Sequence, residues 1–137
     1  MTLDDFKYYV GETLYYCQSI EHDVKWIYAM MLCGDSQENF LDISDWTLGK
    51  VINELEELDY SDNDNLLSHS QYELLREIKE ERNYLVHQVF RDFAYKDGYE
   101  FDMAFQRACN RLINFHNRLK KLWHTVEDKR VEFANNI

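Results

Sequence analysis

Apolar side chains recur every three or four residues over most of this chain, which is the pattern of amphipathic α-helices. The clearest run extends from Thr2 to Cys33. Thr2 is predicted to be the N-cap of this helix and Gly34 its C-cap. Because the 137 residues include no proline and only four glycines, the sequence predicts few turns and long helices. The apolar face of the first helix consists of Phe6, Val10, Cys17, Ile20, Val24, Ile27 and Met31.

Three further segments carry the same spacing. A second helix is predicted from Ser44, a third from about Ser70 to Ala94, and a fourth from Glu100 onward for about nine turns. Four helices joined by short loops favour an antiparallel up-down-up-down bundle. We therefore predict a single all-α domain over residues 1–137.

Two polar segments separate the first three helices. Residues 35–42 are predicted to be a connection, and residues 59–68 an acidic loop rich in turn residues. The acidic loop contains several carboxylates, as a calcium-binding loop does, but it lacks the central glycine of an EF-hand. Ser70 also occupies the twelfth position, where an EF-hand has glutamate. A solvated loop is the better interpretation.

The charge is divided unevenly along the chain. Residues 1–67 hold three basic and fifteen acidic side chains, whereas residues 68–137 hold twelve basic and eleven acidic ones. Because nucleic-acid binding needs clustered lysine and arginine, any contact with RNA must come from the second half. The fourth helix offers candidates for RNA binding, although an ordinary solvated cationic face is also consistent with the pattern. These candidates are Arg107, Arg111, Arg118, Lys120 and Lys121.

Few features of the sequence point to a cofactor or to a membrane. The three cysteines are odd in number and show no C-x-x-C spacing, so neither a zinc site nor a disulfide framework is predicted. No histidine has a glutamate three residues before it, as a di-iron bundle would require. The start of the chain does not resemble a signal peptide, and no apolar run approaches ~20 residues. We expect a soluble cytoplasmic protein without a metal or other cofactor.

The predicted third helix contains one charged residue on its apolar face. With residues about 100° apart, the apolar side chains form a single stripe, and Arg82 falls in its middle. A guanidinium stays charged at physiological pH, so a buried Arg82 needs an anionic partner or a polar cleft. The stripe consists of Leu74, Leu75, Ile78, Leu85, Val86, Val89 and Phe93.

Polar side chains accompany Arg82 on a different face of this helix. Asn83 and His87 are four residues apart and therefore neighbours, and Glu80 lies one turn before Asn83. His87 is about 140° around the helix from Arg82, so one chain alone keeps these two side chains apart. Two copies of the helix across a two-fold axis could bring both pairs together.

The run Arg82-Asn83-Tyr84-Leu85-Val86-His87 resembles the R-x4-H motif of HEPN domains (higher eukaryotes and prokaryotes nucleotide-binding domains). These domains are small all-α bundles of toxin–antitoxin, phage-defence and RNA-processing systems. Arg82, Asn83 and His87 match the motif, and Glu80 corresponds to an acid that often precedes its arginine. The resemblance implies a metal-independent endoribonuclease that dimerises and forms a composite site from both motifs.

The resemblance also implies a role for each motif residue. His87 would be the general acid or base for attack of an RNA 2′-hydroxyl on the adjacent phosphorus. Arg82 would stabilise charge on the phosphoryl oxygens, and Asn83 would orient the phosphate or His87. A cognate antitoxin is an implied partner. In one subfamily it is a nucleotidyltransferase, but those toxins carry a tyrosine two residues after the histidine, where this chain has Val89.

A non-catalytic interaction module is the alternative interpretation. The chain would then be an antitoxin, an immunity protein or a regulatory partner whose acidic half docks on a basic protein surface. Under this interpretation Arg82 pairs with an acid of the first helix, Glu21 or Asp23, and His87 is an ordinary surface histidine.

Overall fold

The computed structural model describes residues 1–135, which contain helices and no strand. The all-α prediction is therefore confirmed for this part of the chain. The buried side chains of all the long helices form one contiguous core. The elements are α1 (Leu3–Met31), α2 (Ser36–Asp42), α3 (Leu48–Asp59), α4 (His69–His87), a single 3-10 turn (Val89–Asp92) and α5 (Gly98–Asn135).

Helix α1 begins where the sequence predicts. The Thr2 hydroxyl accepts a hydrogen bond from the Asp5 backbone N–H at 3.1 Å, and the Asp5 carboxylate accepts one from the Thr2 N–H at 3.1 Å. This reciprocal capping box satisfies two backbone donors that the first turn of a helix leaves free. At the other end the helix stops at Met31, and Gly34 adopts φ +98° in the turn into α2.

The segment predicted as a polar connection is a helix. Asp35 caps α2 by accepting hydrogen bonds from the backbone N–H groups of Gln37 and Glu38. The following helix, α3, begins later than predicted, because Thr47 rather than Ser44 is its N-cap. The Ser44 hydroxyl instead donates to the Leu41 carbonyl at 2.8 Å. The prediction missed α2 because its seven residues are too few to show a periodicity.

Helix α4 is shorter than predicted. Its α-helical hydrogen bonding ends at His87, and the chain continues as a 3-10 turn instead of as α-helix to Ala94. Val89 and Phe93 are nevertheless buried, as the apolar stripe predicted. The tighter turn therefore keeps the apolar residues in the core while it ends the helix immediately after the motif histidine.

Contacts between α1 and α5 run in the same order along both helices. Phe6 packs against Phe105, Glu12 contacts His116, and Asp23 contacts Arg130, so these helices are parallel. Helix α4 is antiparallel to α5; its ion pairs with α5 are Glu81–Arg111 and Glu77–Arg118.

The predicted up-down-up-down bundle is therefore wrong in one respect, because it would place the first and last helices antiparallel. The physical reason is α2. Asn39 of α2 donates to the carbonyl of Ala29, and Phe40 stacks on Trp26, so α2 folds back along α1. This short helix adds one reversal of chain direction that a four-helix count leaves out.

A buried carboxylate ties the acidic loop to α4. Asp59 is 1% exposed and accepts hydrogen bonds from the backbone N–H groups of Leu66 and Leu67 at 2.6 and 3.1 Å. The hydroxyl of Tyr72 donates to the same carboxylate at 2.7 Å. The other acids of the loop, Asp62 and Asp64, are exposed as predicted, whereas Asp59 was wrongly predicted to be solvated, because it ends α3 and is buried.

Candidate active site at the end of helix α4

The sequence predicted Arg82 in the middle of the apolar stripe of α4. It lies instead at the edge of the apolar face, because Val86 beside it is exposed, and α1 holds it. Its Nη1 donates to Glu21 Oε2 at 2.8 Å, with 29% of the Arg82 side chain and 26% of the Glu21 side chain exposed. Within residues 1–135, its Nε and Nη2 make no hydrogen bond and are not sealed from solvent. One terminal nitrogen is therefore fixed, and the other two nitrogens can donate to a ligand.

Cys17 of α1 lies near the Arg82–Glu21 pair. Burial raises the pKa of the Cys17 thiol to about 12, although the positive charge of Arg82 acts in the opposite direction. The thiol is therefore protonated at neutral pH and is no nucleophile. The side chains of this region that remain available for binding or proton transfer are Arg82 and the polar residues of α4.

Asn83 and His87 share an exposed face at the end of α4. Neither side chain makes a hydrogen bond or ion pair within the part of the chain that the structure describes. Val86, which the apolar stripe placed in the core, is 55% exposed on this face, and Phe90 of the 3-10 turn is 36% exposed. These four residues, Asn83, Val86, His87 and Phe90, are called the α4 end face below.

The structure does not bring the predicted catalytic residues together within one chain. Arg82 contacts α1, while His87 faces solvent about 140° around α4. Glu80 is also exposed and makes no ion pair among the described residues. Asn83 and His87 lie on one face of α4, as predicted. Arg82 and His87 can act on the same ligand only if a second copy of the chain supplies one of them.

A cluster that the sequence did not predict fixes the end of α4 against α5. The Arg111 guanidinium donates two hydrogen bonds to Glu81, at 2.8 and 3.1 Å, and its Cζ lies 3.6 Å from the centre of the Tyr84 ring. The hydroxyl of Tyr84 donates to Asp92 at 2.6 Å, and burial with this hydrogen bond raises the pKa of Tyr84 to about 12. The hydrogen bonds to Glu81 raise the pKa of Arg111. This cluster positions the helix turn that carries His87.

The five basic residues predicted to bind RNA fall into two groups. Arg111 and Arg118 form ion pairs with Glu81 and Glu77 of α4. The remaining three are exposed, and no ion pair involves them in the described part of the chain. They are Arg107, Lys120 and Lys121. The cationic face is therefore partly a helix–helix contact, and Arg107 lies on the same end of the bundle as His87.

Two features are absent from residues 1–135. Within residues 1–135, no three His, Cys, Asp or Glu side chains are grouped so that they could hold a metal ion. No helix of the same range combines the length and apolar character that crossing a membrane requires.

Comparison of this chain with models of protein families, with curated proteins and with solved structures finds no match.

Proposed function

We propose that this chain is a HEPN-type, metal-independent endoribonuclease, a toxin or phage-defence effector that acts as a homodimer. The α4 end face carries this proposal. Its polar residues Asn83 and His87 are exposed without a partner among the described residues, and exposed Val86 and Phe90 flank them. Polar side chains of a catalytic type among exposed apolar ones are what an interface between two copies would enclose.

A two-fold axis near the α4 end face would complete the site. A homodimer with this symmetry presents the same residues twice, so each His87 acquires a second His87 and the neighbouring Arg82 of the other copy. The exposed apolar area of Val86 and Phe90 would be removed from water at the same time. The composite site explains why one chain keeps Arg82 and His87 apart.

Each residue of the composite site would have a separate role in the reaction. One His87 accepts the proton of the RNA 2′-hydroxyl, whose oxygen attacks the adjacent phosphorus. The bond from phosphorus to the 5′-oxygen breaks, and the second His87 donates a proton to that leaving oxygen. The products are a 2′,3′-cyclic phosphate and a free 5′-hydroxyl. Arg82 donates from Nε and Nη2 to the non-bridging oxygens while Glu21 holds Nη1, and Asn83 orients the phosphate.

The test is cleavage of RNA by the purified protein. We expect cleavage in the presence of a chelator, and none when the attacking 2′-hydroxyl is replaced by hydrogen. Replacement His87→Ala should lower the rate by roughly 100- to 10,000-fold without loss of stability. His124 is a matched control, because it is also an exposed histidine without an ion pair in the described chain. If His124→Ala lowers the rate as much as His87→Ala does, the assigned role of His87 is wrong.

Toxicity on expression tests the proposed biological role. A toxin should arrest growth, and His87→Ala should relieve the arrest. A cognate antitoxin, whether a nucleotidyltransferase or another protein, should restore growth of cells that express the wild type. If His87→Ala by itself restores growth, the toxicity depends on the α4 end face and is not an effect of overexpression.

The Arg82–Glu21 ion pair favours a second candidate, the non-catalytic interaction module. An arginine that α1 already binds has a structural role without any RNA. Ten acidic side chains and one basic side chain between positions 35 and 64 would suit a basic partner surface. Under this alternative, Arg82→Ala destabilises the fold, His87→Ala changes nothing measurable, and the wild type leaves RNA intact but binds a basic protein.

A further inference from the structure

A cavity of about 390 Å³ opens at the first turns of α5, apart from the α4 end face. One aromatic ring, one thioether and three charged side chains line it. The lining residues are Lys96, Tyr99, Glu100, Met103, Ala104 and Arg107. Its size is within the range of sites that hold small ligands.

The three charged residues of this cavity make no ion pair, either with one another or elsewhere in the described residues. Lys96, Glu100 and Arg107 therefore keep their full hydrogen-bonding capacity toward a ligand. Tyr99 is 76% exposed and Met103 is 39% exposed, so an aromatic and an apolar surface are also available. Charged, aromatic and apolar surfaces therefore meet at this opening.

The cavity lies on the side of α5 that faces α4. Arg107 precedes Arg111 by one turn on the same face of α5, and Arg111 contacts Tyr84. His87 follows Tyr84 on α4 and is about 60° around the helix from it. The cavity and the α4 end face therefore lie at the same end of the α4–α5 pair.

We propose that the cavity binds a guanine nucleotide of the RNA and so determines where the chain cuts, a proposal that rests on the ribonuclease function proposed above. The Glu100 carboxylate can accept two hydrogen bonds, from N1–H and from the 2-amino group of guanine. The Tyr99 ring provides a stacking surface for the base. Lys96 and Arg107 bind the phosphates on either side.

The hydrogen-bonding chemistry favours guanine over the other bases. Adenine and cytosine present a ring nitrogen that accepts at the position where guanine N1 donates, so the Glu100 carboxylate would repel them. Uracil has one ring N–H but no adjacent amino group. Guanine alone offers two parallel donors to a carboxylate, which is the bidentate arrangement that binds most strongly. The two cations outnumber the single acid, which suits a ligand that carries phosphate.

Calorimetric titration of the full chain with mononucleotides tests this proposal without any cleavage. We expect GMP to bind about 10- to 100-fold more tightly than AMP, CMP or UMP, because a hydrogen bond to a charged group has that value. IMP, which lacks the 2-amino group, should fall between GMP and AMP. Equal affinity for the four nucleotides, or binding of none at millimolar concentration, would overturn the proposal.

Matched variants assign the binding to the cavity. Glu100→Gln should remove most of the preference for GMP, whereas Asp102→Asn, an exposed acid of the same helix outside the cavity, should not. Tyr99→Ala should lower the affinity for every nucleotide by about 5- to 150-fold, because the base loses its stacking surface. Tyr95→Ala should leave the affinity unchanged, because Tyr95 is 88% exposed and does not line the cavity. Equal effects of either variant and its control would contradict the assignment.

The failure of this proposal is distinguishable from the failure of the ribonuclease proposal. GMP selectivity that persists in His87→Ala, together with no cleavage of RNA by the wild type, would retain the guanine site and overturn the nuclease. Cleavage by the wild type without preference for guanine, unchanged in Glu100→Gln, would retain the nuclease and overturn the guanine site. If both are correct, Glu100→Gln cuts RNA at positions that no longer depend on guanine.

Discussion

Arg82 Nη1 donates a hydrogen bond to Glu21 Oε2 at 2.8 Å, and this contact joins α4 to α1 across 61 positions of the sequence. The same arginine is proposed to bind phosphate through its two remaining nitrogens. Because Glu21 occupies only one terminal nitrogen, the structural and catalytic roles of Arg82 do not exclude each other. They are also separable by mutation.

We predict that Arg82→Ala and Glu21→Gln differ in their effects. Loss of the guanidinium should lower the free energy of unfolding by about 1–3 kcal/mol, because Glu21 then loses its charged partner. Glu21→Gln keeps an acceptor for Nη1 and should cost less. Urea unfolding of both single variants and the double variant measures the coupling between them. RNA cleavage should fall steeply in Arg82→Ala and survive in Glu21→Gln; equal loss of cleavage in both would show that Arg82 acts only through the ion pair.

A second prediction concerns acid stability. His116 Nε2 lies 2.7 Å from Glu12 Oε1, and hydrogen bonds from His116, Tyr8 and Tyr16 lower the pKa of Glu12 from 4.5 to about 2. Between these two values the unfolded chain binds a proton at Glu12 and the folded chain does not, so stability falls as pH falls through this window. The effect should be about 1–2 kcal/mol, reduced because Glu12 is partly open to solvent.

Glu12→Gln is the control for this effect, because it removes the titrating group and keeps an acceptor. The difference in unfolding free energy between wild type and Glu12→Gln, measured by urea unfolding, should be constant above pH 5 and should shrink on the way down to pH 2. A difference that does not change over this range would show that Glu12 has no depressed pKa.

A third prediction concerns Asp59. Its carboxylate accepts three hydrogen bonds, two from backbone N–H groups and one from Tyr72. Asp59→Ala should lower the unfolding free energy by about 3 kcal/mol or more, because buried donors lose their acceptor. Tyr72→Phe removes one of the three bonds and should cost about 1 kcal/mol. The exposed Asp64→Ala should stay within about 0.5 kcal/mol of wild type, and a comparable loss in that variant would refute the special role of Asp59.

A fourth prediction concerns the thiols. Burial raises the pKa of Cys17 to about 12 and raises the pKa of Cys109, whereas Cys33 is exposed. A disulfide reagent such as Ellman's reagent at pH 8 should therefore modify one thiol rapidly in the native chain and all three after unfolding. Cys33→Ser should abolish the rapid phase. If the rapid phase survives in this variant, one of the buried thiols is more accessible than the packing of α1 and α5 allows.

Periodicity predicts the features that depend on residues within one helix. The apolar face of α1 was predicted because its three-four spacing persists over many turns, and Arg82 was predicted to need an anion because it interrupts such a face. The sequence left Glu21 and Asp23 open as partners; they are two residues apart, and only the rotation of α4 against α1 decides between them. Asp23 binds Arg130 of α5 instead.

The features that the sequence did not predict depend on contacts between distant residues. Periodicity identifies an apolar face but not the helix that covers it. It therefore could not predict that α1 and α5 pack in parallel. The fixation of α4 by Arg111 was missed because a cation and an aromatic ring 27 positions apart give no local pattern. Tyr84, an aromatic residue between Arg82 and His87, was the one feature of the sequence that could have indicated this contact.

The last prediction concerns assembly. If the α4 end face is an interface between two copies, light scattering at micromolar concentration should give about twice the monomer mass of 16.7 kDa. Val86→Lys places a charge where the two copies would meet and should shift the mass to that of a monomer, with loss of RNA cleavage. Leu41→Lys is the matched control, because Leu41 is 70% exposed on α2, away from this face. A wild type that stays monomeric while it cleaves RNA would rule out the composite site, because no single chain brings Arg82 and His87 together.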